Sequence, residues 1–247
     1  MSDRSAVTVS FDNLGEVTEL QRGEFPEGEP LGRHHSVTRA LPRILELLEE
    51  LGLRATFFVE GLNTELYPDT LREIDAAGHE VAYHGWCHEQ WSELEPERER
   101  ELLERGAEAM DGLGLRPVGF RPPGGDLTGA SLGLLRELGF TYCSPAGDAV
   151  ELEDGIAILP FQWRLLDAYH YLPRFAELRE RDTGSADPLP PEHLAAAIAE
   201  AVGRDGHTSL VFHPFLTESE ERFAVLRQAL TAAGQAGCAP YREMAPA

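Results

Sequence analysis

The chain reads as an α/β protein, a distorted (β/α) barrel with seven or eight parallel strands, on three observations. Short β-branched or aromatic runs alternate with longer segments of helical period, the pattern of βα units around a parallel sheet. The alternation fits seven or eight strands into 247 residues, a length usual for one barrel. A glycine-rich GxGxxG turn, the mark of a doubly wound dinucleotide sheet, does not occur.

The first strand is Ala6–Phe11. Val37, Leu41, Ile44, Leu45, Leu48 and Leu51 then recur at spacings of three and four, so a helix ends at Gly52 in the C′ position. Pro42 makes that helix kink or start late. Ala55–Val59 follows as a strand, Pro68–Ala77 as a helix closed by Gly78, and Glu80–Tyr83 as a strand. A charged helix near Pro96–Asp111 leads to a strand at Val118–Phe120. The next helix opens at Thr128 as N-cap and closes at Gly139. Short strands are expected near Tyr142 and at Ile156–Leu159, and a helix at Glu192–Val202. The chain finishes with a buried strand at Ser209–Phe212, a helix at Glu218–Ala233 and one more strand at Ala239–Arg242. Residues 16–35 and 173–191 are rich in Gly, Pro and charge, long enough to act as lids over a barrel mouth. The whole chain reads as one domain, residues 1–247.

Composition narrows the function. Twenty-one basic against 43 acidic residues give a net charge of -22, which repels phosphate backbones and anionic lipids, so neither nucleic acid nor membrane is an expected partner. Every basic residue is arginine, which excludes a Schiff-base or Walker-A lysine. Three scattered cysteines, Cys87, Cys143 and Cys238, form neither a disulfide framework nor a CxxC site. With no basic leader and no long apolar run, a cytoplasmic location is expected. The expected partner is a small-molecule substrate; a homo-oligomer is compatible with the sequence.

Barrel active sites form at the carboxyl ends of strands. Asp12 and Asn13 end the first strand, His84 the third, Arg121 the fourth and His213 a late one. His84 and His88 lie four residues apart, and on a helix both imidazoles would share one face, as zinc ligation requires; spacing leaves two solvated loop histidines equally open. Asp12 is either a metal ligand or general base, or a turn-forming residue before Gly15. In Phe120-Arg121-Pro122-Pro123-Gly124-Gly125, prolines stiffen the chain while glycines admit a ligand close to the backbone; a rigid surface turn is the plainer alternative. His213 reads as a general acid or a hydrogen-bonded core histidine. Trp163 offers an aromatic platform or core filling, and Asp167 can orient a histidine. Cys87 is a weak candidate nucleophile without a base.

Taken together and in order, these segments resemble the polysaccharide deacetylase superfamily, the carbohydrate esterase group with the NodB-like domain. Ser10-Phe11-Asp12-Asn13-Leu14-Gly15 is similar to its T-F-D-D-G motif, His84 to His88 to H-S/T-x-x-H, Phe120 to Gly125 to R-P-P-Y-G, and Leu210 to His213 to L-x-x-H. Arg54–Gly61, Ala77–Val81 and Leu159–Trp163 look closer to its cytoplasmic allantoinase-like and cyclic-imide-hydrolysing branch.

The resemblance implies hydrolysis of a carbon–nitrogen amide bond with a divalent metal: zinc, or cobalt or manganese. Asp12 would be the base, held by Arg121. His84, His88 and Asn13 would hold the metal. His213, oriented by Asp167, would protonate the leaving nitrogen, with Gly124, Pro123 and Trp163 against the substrate and the Gly124 N–H at the oxyanion. Two departures stand out. Asn13 replaces the family's ligand aspartate by a neutral amide, with Leu14 inserted before the glycine; in an alternative arrangement Asp12 itself turns to the metal and Glu16 assists. Gly124 replaces a tyrosine, which opens the site for a smaller substrate than a polymer.

Overall fold

The computed structural model describes residues 6–245. Eight strands form one sheet: β1 (Ala6–Asp12), β2 (Thr56–Val59), β3 (Glu80–Tyr83), β4 (Gly119–Phe120), β5 (Tyr142–Cys143), β6 (Glu151–Glu153), β7 (Ile156–Ile158) and β8 (His207–Phe212). Their order is β6-β7-β5-β4-β3-β2-β1-β8, with every neighbouring pair parallel except β6 and β7. The sheet curls without full closure. Across its gap one parallel bridge, Leu166 to Val211 of β8, joins the chain that leaves β7. This is the distorted barrel that the alternation of strands and helices predicts.

The central strands are buried on both faces, which is why they read as continuous apolar runs. Outside, helices such as Leu41–Leu51 and Glu220–Ala236 cover Val7, Val9, Phe11 and Phe57. Inside, Phe58, Ala82, Tyr142, Ala157, Leu159 and Tyr241 form a separate apolar cluster.

Three local expectations need correction. Ala239–Arg242 is not a strand: Cys238 makes one bridge to Val7, Pro240 offers no N–H, and Tyr241–Glu243 forms a 3-10 turn. The helix placed at Thr128 begins at Ser131, because the Thr128 hydroxyl accepts from the Ala130 N–H at 3.1 Å and makes a local turn. Pro42 lies in the first turn of the α-helix Leu41–Leu51, the late start expected of it, after a π segment at Ser36–Ala40. Finally, β6 is an exposed strand the apolar pattern did not reveal; it pairs with β7 through Asp154 and Gly155, both at positive φ, the turn chemistry of a tight hairpin.

Candidate active site

Residues at the carboxyl ends of β1, β3, β4 and β8 converge on a cavity of about 370 Å³. Asp12, Asn13, His84, His88, Arg121, Gly124, Trp163 and His213 all line it. Pro123 does not: Pro122 faces the cavity, while Pro123 packs over Gly85, where a Cβ would come within 2.9 Å of its ring.

Strand alternation places Ser10 and Asp12 on the same inward face of β1. Arg121 enters the barrel from β4 and meets both. Its Nη1 donates to Ser10 Oγ at 2.7 Å and to Asp12 Oδ1 at 2.7 Å, and its Nη2 donates to Ser144 Oγ at 3.0 Å and Tyr241 Oη at 2.8 Å. The guanidinium also lies 4.0 Å from the centre of the Phe58 ring. Burial works against its charge, but Asp12 beside it keeps the guanidinium protonated. No described residue donates to Asp12 Oδ2, so one oxygen of the fixed carboxylate is left for an incoming proton.

His213 follows β8 and is gripped twice by Asp167. Its backbone N–H donates to Oδ2 at 2.8 Å and its ring Nδ1 pairs with Oδ1 at 2.5 Å, which leaves Nε2 as the working nitrogen.

His84 and His88 are brought together by a loop, not by one face of a helix as their spacing suggested. Gly85 and His88 take left-handed backbone conformations, and Glu89 accepts from the N–H groups of Trp86 and Cys87 at 2.9 and 3.0 Å. The imidazole centroids stand 5.0 Å apart, nearly perpendicular. His84 Nδ1 bonds the Arg121 carbonyl at 2.8 Å, which frees its Nε2. Burial holds His84 down to about 3 and His88 well below its ordinary value, so both rings are neutral donors near pH 7. The Cys87 thiol is pushed up to about 11, chiefly by burial, which removes it as a nucleophile.

Asn13 has φ of 58°, a left-handed conformation that asparagine tolerates. Its Nδ2 donates to Thr18 Oγ1 at 2.5 Å and Glu60 Oε1 at 3.0 Å, so Oδ1 is the atom it can offer a cation. Two neutral imidazoles and an amide oxygen fit a divalent metal of zinc type with open positions. Glu16 plays no part there. Its carboxylate accepts from Tyr67 Oη at 2.5 Å and from the Gly32 N–H at 2.6 Å, away from the cavity. A second histidine cluster, His34 and His35 with Glu19, has donor atoms within 4.8 Å of one another, but its members are already paired with Ser36, Glu19 and Glu218.

Sequence reasoning missed Glu60, fully buried behind Asn13 and pushed up to about 8 by burial. Asn13, Thr18 and Asn63 all donate to it. Its position directly after β2 was the available signal. Both expected lid segments reach the cavity, through Gln21 and Arg22 on one side and Arg174 and Phe175 on the other.

Against known proteins, residues 25–143 match the polysaccharide deacetylase family, a span holding His84, His88 and Arg121. A solved Mycobacterium smegmatis protein assigned to the polysaccharide deacetylases superposes with a TM-score of 0.81 at 28% identity, over 98% of this chain and 89% of that one. The chain is similar to the polysaccharide deacetylases over just under half of its length by sequence and over nearly all of it by fold. It is also 34% identical over 103 residues to the peptidoglycan deacetylase-like protein FGM2 of Gibberella zeae, covering 40% of this chain and 30% of the relative. The chain thus spans about a third of the length of the curated relatives it matches most strongly. Puue allantoinase shares the fold, with a TM-score of 0.68 at 19% identity over 94% of this chain and 85% of that one. Among the described residues no helix is long and apolar enough to cross a membrane.

Proposed function

We propose that this chain is a metal-assisted hydrolase of a carbon–nitrogen amide bond in a small N-acyl, ureide or cyclic imide substrate. The observation that carries it is the convergence of two acid–base pairs, Asp12 with Arg121 and His213 with Asp167, and two neutral imidazoles on one cavity.

Asp12, fixed by Arg121 through Oδ1, takes a proton from the attacking water at Oδ2. His213, with Nδ1 on Asp167, delivers a proton from Nε2 to the leaving nitrogen as the C–N bond breaks. The Gly124 N–H, freed by a φ of +83°, is available to the developing oxyanion. His84, His88 and Asn13 Oδ1 would hold a divalent ion, which when bound polarises the carbonyl and acidifies water. A cavity of about 370 Å³ lined in part by both lid segments favours a small substrate over a polymer. Three free thiols accord with a reducing, cytoplasmic setting.

The neutral Asn13 favours one second reading, an Asp12-driven hydrolase that needs no metal. Metal content per chain and turnover on an amide, ureide and imide panel, for wild type and His84→Ala, separate the two. About one zinc, cobalt or manganese in wild type, none in the variant and parallel loss of turnover support the proposal. Turnover without metal transfers it to the second reading, and absence of all turnover overturns both.

A further inference from the structure

Two arginines at the cavity have no acidic partner. Arg22 ends the helix Val17–Arg22 in the first lid segment, and Arg174 sits in the 3-10 turn Pro173–Phe175 of the second. Both line the cavity that holds Asp12, His84 and His213. Neither forms a salt bridge with a described residue, although acidic residues outnumber basic ones 43 to 21 and most arginines outside the cavity have found one. Glu19 and Glu24 line the adjoining wall, but neither forms an ion pair with Arg22 or Arg174.

That placement is unfavourable for two cations. Two cations that make no ion pair set up a local positive field at the mouth of one cavity, with Glu19 and Glu24 on the adjoining wall. An anion entering there relieves the repulsion and is met by planar donors suited to two carboxylate oxygens.

We propose that Arg22 and Arg174 bind a carboxylate of the substrate, so that the site takes small amides carrying a free acid, such as N-acyl amino acids or ureido acids. The inference rests on the reading of this cavity as an amide-hydrolysing site. The carboxylate bridges the two lid segments while the scissile amide reaches Asp12 and His213 beneath.

The test is calorimetric binding of N-acetylglycine, its neutral isostere N-acetylglycinamide and inorganic phosphate to protein dialysed free of divalent metal. The expected result is that wild type binds the acid about ten- to a hundred-fold more tightly than the amide, as one or two charge-assisted hydrogen bonds provide. In the Arg22→Gln/Arg174→Gln double variant that preference collapses to near unity while N-acetylglycinamide binds as before. Both side chains are exposed at the rim, and an unchanged melting temperature confirms that the fold is kept. Equal affinity for acid and amide, no binding of the acid at millimolar concentration, or a preference that survives in the double variant overturns the proposal. Phosphate binding more tightly than N-acetylglycine overturns the carboxylate assignment. Because no turnover is measured, an inactive protein that still prefers the acid refutes the hydrolase reading alone.

Discussion

Glu60 gives the sharpest quantitative test of the site's electrostatics. Its carboxyl is fully buried and pushed from 4.5 up to about 8, mainly by loss of water and in part by the Asp12 charge, against three hydrogen bonds that favour the ionised form. Between those values the folded chain keeps the proton and the unfolded chain releases it. Stability from this group is therefore complete below pH 4.5 and is lost as pH rises toward about 8. The slope is about 1.4 kcal/mol per pH unit. Buried histidines such as His84 and His207 have folded values of about 3 and about 4 against 6.5 unfolded, so their opposite slope acts only below pH 6.5. From pH 6.5 to 8 the Glu60 limb stands clear, and metal-free wild type should lose about 2 kcal/mol. Urea unfolding at half-unit pH steps measures it, with Glu60→Gln as comparison. The variant should be flat over that interval whatever its absolute stability. An equal decline in both proteins would refute the assignment of the limb to Glu60.

Three further outcomes follow from the same geometry. Arg121→Met leaves Asp12 buried without its counter-charge and should cost about 3–5 kcal/mol in urea unfolding; a loss below about 1 kcal/mol would mean that the pair contributes little. Asp167→Asn removes the anion that orients His213 Nδ1, so kcat on the substrate found by screening should fall about 10²- to 10⁴-fold with KM little changed, and a change confined to KM would contradict an acid role. Gly119→Ala places a Cβ 1.9 Å from the Tyr142 ring, which is held by Glu80 at 2.9 Å; the melting temperature should drop by an amount equivalent to about 1–3 kcal/mol, and an unchanged value would show that the ring moves freely.

The legible part of this protein lies along its strands. Runs such as Val7 to Phe11 and Leu210 to Phe212 are apolar because they are buried on both faces, and an ionisable residue directly after such a run stands out, which is how Asp12, His84, Arg121 and His213 could be read. What escaped depends on distant partners. Nothing local distinguishes Ser10, Ser144 or Tyr241 from ordinary strand and loop residues, yet all three hold the Arg121 guanidinium. The H-x-x-x-H spacing suggested a helix because the same separation serves a loop once Gly85 and His88 accept positive φ. Strand β6 was invisible since all three of its residues are exposed, so burial left no apolar signature there. The rim arginines carry no signal at all in one dimension, where their lack of an acidic neighbour cannot be seen.

The Tyr241 hydroxyl on Arg121 has a consequence for synthesis. β1, which carries Asp12, pairs along its length with β8, and Val7 accepts from the Ala239 N–H at 3.1 Å. β1 thus waits, as translation proceeds at about 5–20 residues per second, for segments made long after it. A nascent chain still lacking Tyr241 is without the hydroxyl that completes the Arg121 cage. The site is finished only when β8 and Tyr241 have joined β1 and Arg121, so until then the cell meets an incomplete client of its chaperones.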